Sequence, residues 1–280
     1  MPIKDVLLPL VGEPGAAAIA AIDKCIAVAG DIGAQVTAMA VEQDVLVRPR
    51  VTISADLENA ETAEAVRSVS NAHGLLQAFD AAANRFGVRN QQKLGRLTAA
   101  DIPAHFARAA RLKDMSIVPV KSHDDQSEKI VEGLIFESGR PVLICPEEFA
   151  AELAGAFDNV MIAWDHTAPA ARAVADALPM LQAAANVRIV TATEDEAAAE
   201  LESGAALASH LAEHGIAASF ETVKIGGSSV GKVFEAFVRE KAIDLVIMGA
   251  YRHSRLNEIV WGGVTKTVIG RPPCWVMMSH

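Results

Sequence analysis

In the second half of the chain, short runs of nearly continuous apolar residues alternate with longer segments whose apolar positions recur every three or four residues. The short runs are Val160–Trp164, Val187–Thr191, Ala218–Val223, Leu245–Met248 and Trp275–Met278. The helical spacing falls on Pro169–Ala184, Glu196–His214 and Ser228–Lys241, with a further helix expected from about Gly262. Apolar runs of about four to eight residues without strict alternation read as strands buried on both faces. Alternating with amphipathic helices, they predict a mostly parallel sheet covered on both sides. The first half fits the same plan, with strands at Val6–Leu10, Gln35–Val41, Gln91–Leu97, Ser116–Val120 and Val142–Cys145. It departs in one longer stretch, "VEQDVLVRPRVTISADLENAE", read as a surface loop ahead of the second helix.

The two halves also match segment by segment. "KDVLLPLVGEPGAAAIAAIDKCIAVA" is answered by "FDNVMIAWDHTAPAARAVADALPMLQAA", each a strand, a proline-bearing turn and an alanine-rich helix. "LKDMSIVPVKSH" is answered by "AIDLVIMGAYRH", and "SGRPVLICPEE" by "IGRPPCWVMMSH". The order of segments is kept, so the chain reads as an internal duplication with its boundary near Phe149–Phe157. The repeat is far longer than the ~20–50 residues of a solenoid unit. The expected fold class is α/β, two tandem doubly wound, mostly parallel five-stranded sheets flanked by helices, in units 1–150 and 157–280.

Charge and composition narrow the functions this fold can carry. The formal net charge of −10 argues against a general nucleic-acid binder, which needs lysine and arginine to neutralise phosphates. A single mononucleotide site, built locally, is not excluded. No apolar run approaches the ~18 residues of a membrane span. The opening "MPIKDVLLPLVGEPG" reads as a first strand, its apolar core being too short for a signal peptide. Cys25, Cys145 and Cys274 show no metal or disulfide spacing and read as buried small hydrophobes in a reducing cytoplasm.

In a doubly wound sheet ligands bind beyond the carboxyl ends of the strands, where the strand order reverses. Three stretches of the second half fall at such ends. "GGSSVGKV", Gly226–Val233, fits the start of a phosphate loop, but valine stands where a magnesium-holding hydroxyl is needed. It reads instead as a strand-to-helix turn capped by Ser228 or Ser229. Asp165 ends the first strand; its carboxylate can accept from a ribose hydroxyl or cap the next helix, and both readings stay open. "MGAYRHSRLNEIVWGGVTKT" places Gly249 directly after a buried strand and Gly262–Gly263 before a short helix. That helix start would favour an anion, with hydroxyls on Thr265 and Thr267 and positive charge on Arg252, His253 and Arg255. The alternative is two turns around a solvated basic segment. His253 has His123 as its counterpart in the first half, and no constellation of nucleophile, base or paired carboxylates points to an enzyme.

The strand ending in Asp165, the late strand running into "MGAYRHSRLNEIVWGGVT" and the closing "PPCWVMM" resemble the universal stress protein family, as a tandem pair. Nucleotide-binding members carry a glycine, two residues, a second glycine, nine residues, then glycine followed by serine or threonine. Gly249 matches the first glycine and Gly262 the third. Arg252 stands at the second, and Gly263 replaces the hydroxyl residue. The resemblance implies an adenine-nucleotide site for ATP, ADP or AMP in the second half only, drawn from Asp165, Thr191, Gly249, Arg252, Gly262, Gly263, Val264 and Thr265. Asp165 would take the ribose and adenine side, and Thr265 would lie near the phosphates. In the first half Val11 replaces the aspartate, and Pro119, Ser122 and Glu132 replace the glycines, which implies a degenerate unit without ATP. Arg252 would either fill the phosphate space or grip an anion. The resemblance further implies an intramolecular pseudo-dimer through Val142–Cys145 and Trp275–Met278, with a homodimer and an unknown protein partner left open. Two functions follow: a stress-response binding or regulatory protein using nucleotide, or a nucleotide-independent interaction scaffold. Weak ATP hydrolysis through "GGSSVGK" is a third, lesser reading.

Overall fold

The computed structural model describes residues 2–44, 55–148, 157–194, 198–250, 252–255, 258–261 and 263–280. Its first half runs β1 (Asp5–Leu10), α1 (Ala16–Asp31), β2 (Gln35–Gln43), α2 (Ala55–Phe86), β3 (Asn90–Leu97), α3 (Ile102–Ala110), β4 (Met115–Val120), α4 (Asp125–Glu137) and β5 (Val142–Pro146). The second runs β6 (Asn159–Ala163), α5 (Ala168–Ala183), β7 (Asn186–Thr193), α6 (Ala198–Glu213), β8 (Ala218–Lys224), α7 (Val230–Glu240), β9 (Leu245–Gly249), β10 (Arg252–Arg255), β11 (Glu258–Trp261), α8 (Gly263–Gly270) and β12 (Trp275–Ser279).

Ten strands form one sheet in the order β3-β2-β1-β4-β5-β12-β9-β6-β7-β8. Every neighbouring pair is parallel except β5 and β12, which meet antiparallel with Val276 opposite Ile144 and Met278 opposite Val142. Each half thus supplies five parallel strands, and their last strands join the two sets.

The apolar runs lack alternation because both faces are covered. Successive residues point to opposite faces. Val160, Ile162, Trp275 and Met277 enter a core under α1, α2, α5 and α6. Met161, Ala163, Val276 and Met278 enter a second core under α3, α4, α7 and α8. Burying both sides of a strand removes the polar positions that would otherwise mark a solvent face.

The duplication extends to a polar corner. Asp114, just before β4, accepts from the backbone N–H of Lys4 at 2.8 Å and of Asp5 at 3.0 Å. Asp244, just before β9, accepts from the N–H of Asp158 at 2.9 Å and of Asn159 at 3.0 Å. In both halves the carboxylate ties the entry of the first strand to that of the fourth. Within the second half Phe157 meets Trp275 edge-on at 5.5 Å, and across the seam the His123 N–H donates to the Gly270 carbonyl at 2.8 Å. His123 sits at φ 59°, so its backbone serves this contact between halves.

Two segments differ from the sequence expectation. The stretch read as a loop from Val41 to Glu61 begins inside β2 and ends inside α2; only residues 45–54 lie outside the described structure. Alanine, glutamate and leucine of high helix propensity carry α2 back to Ala55, making it 32 residues long. The glycine-bracketed stretch contains a small antiparallel hairpin, β10–β11, pairing Arg252 with Trp261 and Arg255 with Glu258. Its second strand, "EIVW", is β-branched and aromatic, a pattern suited to a strand that the glycines drew attention away from. No helix among the described residues is long and apolar enough to cross a membrane.

Candidate functional site

From β6 the chain winds outward through β7 and β8, then returns to the other side of β6 for β9 and β12. The strand order therefore reverses between β6 and β9, and the crevice beyond their carboxyl ends is where such a sheet takes a ligand. Ala163 pairs with Met248 on one side and Val190 on the other. Asp165 lies just past Ala163 and Gly249 just past Met248, so these two candidates flank the same crevice.

Asp165 is exposed at this mouth. Its Oδ1 accepts from the Thr167 N–H at 3.2 Å and from the Thr167 hydroxyl at 2.6 Å. The cap of α5 is Thr167, whose oxygen accepts from the Ala170 N–H at 3.4 Å. Asp165 is therefore not the helix cap; it orients the cap and leaves its carboxylate at the crevice. His166, next in sequence, holds φ 59° and stacks tilted on Trp164 at 5.8 Å. Trp164 is anchored by its Nε1–H, which donates to Ser203 Oγ at 2.8 Å. This aromatic wall beside Asp165 was not picked out from sequence; a histidine in the left-handed region is tolerated better than most residues, and no pattern announces it.

Gly249 is a packing glycine. A Cβ there would lie 2.5 Å from Ala170 N and 2.7 Å from the Pro169 carbonyl carbon. The first turn of α5 therefore rests directly on the end of β9, and this close approach shapes one side of the crevice. Thr191 is buried, and its hydroxyl donates to the Trp164 carbonyl at 2.9 Å, which braces β6 against β7. Thr265 is 1% exposed, and Val264 packs partly buried against the second core. Gly263 differs: it is exposed at the start of α8, and among the described residues a Cβ there would meet nothing within 4 Å. The Thr267 hydroxyl donates to the Gly263 carbonyl at 2.8 Å. The backbone of Arg252 lies in β10; its side chain and all of Gly262 lie outside the described residues, as do the side chains of His253 and Arg255.

The phosphate-loop-like stretch is a turn. Gly226 and Gly227 hold φ 56° and 73°, and Ser229 caps α7, accepting from the Lys232 N–H at 3.4 Å. It follows β8, the sheet edge, with β7 between it and β6.

In the first half the corresponding crevice between β1 and β4 is nearly filled. It retains about 20 Å³, lined by Leu10, Val11, Pro119 and Glu147 among others. Burial raises the Glu147 carboxyl above the usual carboxylate range, only partly offset by Lys121. Ser122 donates its hydroxyl to Glu148 Oε2 at 3.1 Å. All three cysteines are buried, and burial pushes the Cys25 and Cys274 thiols well up. Among the described residues no three or more histidine, cysteine, aspartate or glutamate side chains gather as metal ligands would.

Residues 156–280 match the model of the universal stress protein family. Over the whole chain the fold is similar to that of a universal stress protein from Archaeoglobus fulgidus DSM 4304, at 16% identity and TM-score 0.63, covering 100% of this chain and 99% of that one. It is similar to a putative universal stress protein from Pseudomonas aeruginosa UCBPP-PA14, at 12% identity and TM-score 0.58, covering 99% and 93%. It is also similar to the cytoplasmic domain of a prokaryotic cation chloride cotransporter, at 13% identity and TM-score 0.53, covering 99% and 96%. No curated protein gives a significant sequence match.

Proposed function

Because residues 156–280 belong to the universal stress protein family, whose fold runs through the whole chain, we propose that this protein is a cytoplasmic stress-response binding protein with one adenine-nucleotide site, in its second half. The units are residues 1–150 and 157–280, acting as an intramolecular pair. The observation that carries the reading is the place of Asp165: an exposed carboxylate at the switch-point crevice, held by Thr167, with Gly249 ending the neighbouring strand β9. The ribose hydroxyls would donate to Asp165, and the phosphates would lie toward the start of α8, where amides and the helix dipole favour negative charge. Among the described residues nothing stands where a side chain at Gly263 would go. Val11 offers no such acceptor in the first half, and the narrow crevice there is lined by Glu147, whose carboxyl burial raises.

Calorimetric titration of ATP, ADP and AMP into the full chain tests the proposal. Saturable binding is expected, weakened about tenfold or more by Asp165→Ala, the worth of a lost charge-assisted hydrogen bond. No binding at millimolar nucleotide would overturn it.

One observation favours a second reading, a scaffold that works without nucleotide. The Thr191 hydroxyl is spent on the Trp164 carbonyl and Thr265 is buried, so neither hydroxyl candidate is exposed at the crevice. On this reading Arg252→Gly with Gly263→Ser creates nucleotide binding that the native chain lacks.

A further inference from the structure

The first half, closed at its β1–β4 crevice, opens a larger cavity on the other side of β1. About 520 Å³ lies at the carboxyl ends of β1 and β2, walled by α2. That is within the ~300–1,000 Å³ of small-molecule sites. The wall is pinned, because Ser68 Oγ of α2 accepts from the Gln43 N–H of β2 at 2.6 Å.

Its lining has a definite chemistry. Val11, Val41 and Ile102 give an apolar floor. Charge comes from Glu13 in the β1–α1 turn and from Glu64 and Arg67 on α2. Glu64 and Arg67 are three residues apart and so share a helix face. Among the described residues none of these three charged side chains is in an ion pair. Asn71 and Gln126 add amides that can donate and accept. Ile102 is the first residue of α3 and Gln126 the second of α4, so two positive helix ends adjoin the cavity.

One guanidinium shares the lining with two carboxylates, so the lining is negative overall. A nucleotide triphosphate would be repelled, and Val11 could not hold its ribose. A simple cation would leave Arg67 and the helix ends unanswered. A molecule carrying both charges answers all of them. We propose that this cavity binds a zwitterion of amino-acid or dipeptide size, with its carboxylate on Arg67 and its ammonium on Glu13 and Glu64.

The test uses the full chain and L-alanyl-L-alanine as probe, followed by calorimetry or ligand-observed NMR. N-acetylation of the dipeptide removes the ammonium, and C-terminal amidation removes the carboxylate. Each blocked form is expected to bind about tenfold more weakly, one charge-assisted contact being lost. Arg67→Ala should erase the preference for the free carboxylate, and Glu64→Gln should reduce that for the free amine. Both positions are exposed, so the variants should fold, and Asp165→Ala should leave dipeptide binding unchanged. Absence of saturable dipeptide binding at millimolar concentration would overturn the proposal. So would equal binding of the blocked forms, displacement by ATP, or binding of spermidine that is indifferent to Arg67→Ala. Failure of the nucleotide site would not touch this result, since the residues lie in the other half.

Discussion

Gly249 lies against the first turn of α5 so closely that a Cβ on it would stand 2.5 Å from the backbone nitrogen of Ala170. Its glycine character is thus set by packing between β9 and α5. Gly249→Ala must push helix and strand apart, at a cost of about 1–3 kcal/mol for overpacking. Urea unfolding should show that loss. Because α5 carries the Thr167 cap that orients Asp165, nucleotide affinity should fall as well.

Gly263 is the opposite case. It begins α8, and among the described residues nothing stands within 4 Å of where a Cβ would go. Gly263→Ser should therefore leave thermal stability within about 0.5 kcal/mol of the native chain. The added hydroxyl at the helix start should tighten ATP binding in a titration. A loss of stability would show that the start of α8 is crowded.

The Glu147 carboxyl is raised by burial, with Asp124 and Glu148 adding to the effect and Lys121 opposing it. Between its ordinary value and the raised one, the folded chain holds more proton than the unfolded chain. Stability contributed by this group therefore falls as pH rises through that window. Glu147→Gln should raise the melting temperature at neutral pH, with the gain vanishing in acid near the ordinary glutamate range of about 4.3. Thermal melts across that pH range check the sign.

Cys25, Cys145 and Cys274 are buried, at 1%, 0% and 0% exposure, and thiolate is the reactive form. An aromatic disulfide reagent should label none of the three in the folded chain and all of them in denaturant. The rate of labelling in the native state should then follow the opening of the core.

Much of the fold was legible because both sheet faces are covered: strands such as Val160–Ala163 show as unbroken apolar runs, and the helices between them keep their period. The position of Asp165 was legible too, an acidic residue at the end of a buried strand. What escaped was decided by contacts between distant residues. Thr191 stands at a strand end and Thr265 where the family has a hydroxyl, yet the first braces the Trp164 carbonyl and the second is buried. The close approach of Ala170 to Gly249, the Ser203–Trp164–His166 wall and the α2 cavity each depend on elements brought together only by folding. The hairpin Arg252–Trp261 was hidden by its own glycine bracket, which suggests a loop, while "EIVW" carries the strand preference.

The most direct test of the nucleotide site is a calorimetric titration of ATP into the native full chain and into Asp165→Ala, side by side. Saturable binding to the native protein that weakens about tenfold or more in the variant is the predicted result. Equal binding by both proteins, or none by the native chain at millimolar ATP, would contradict it.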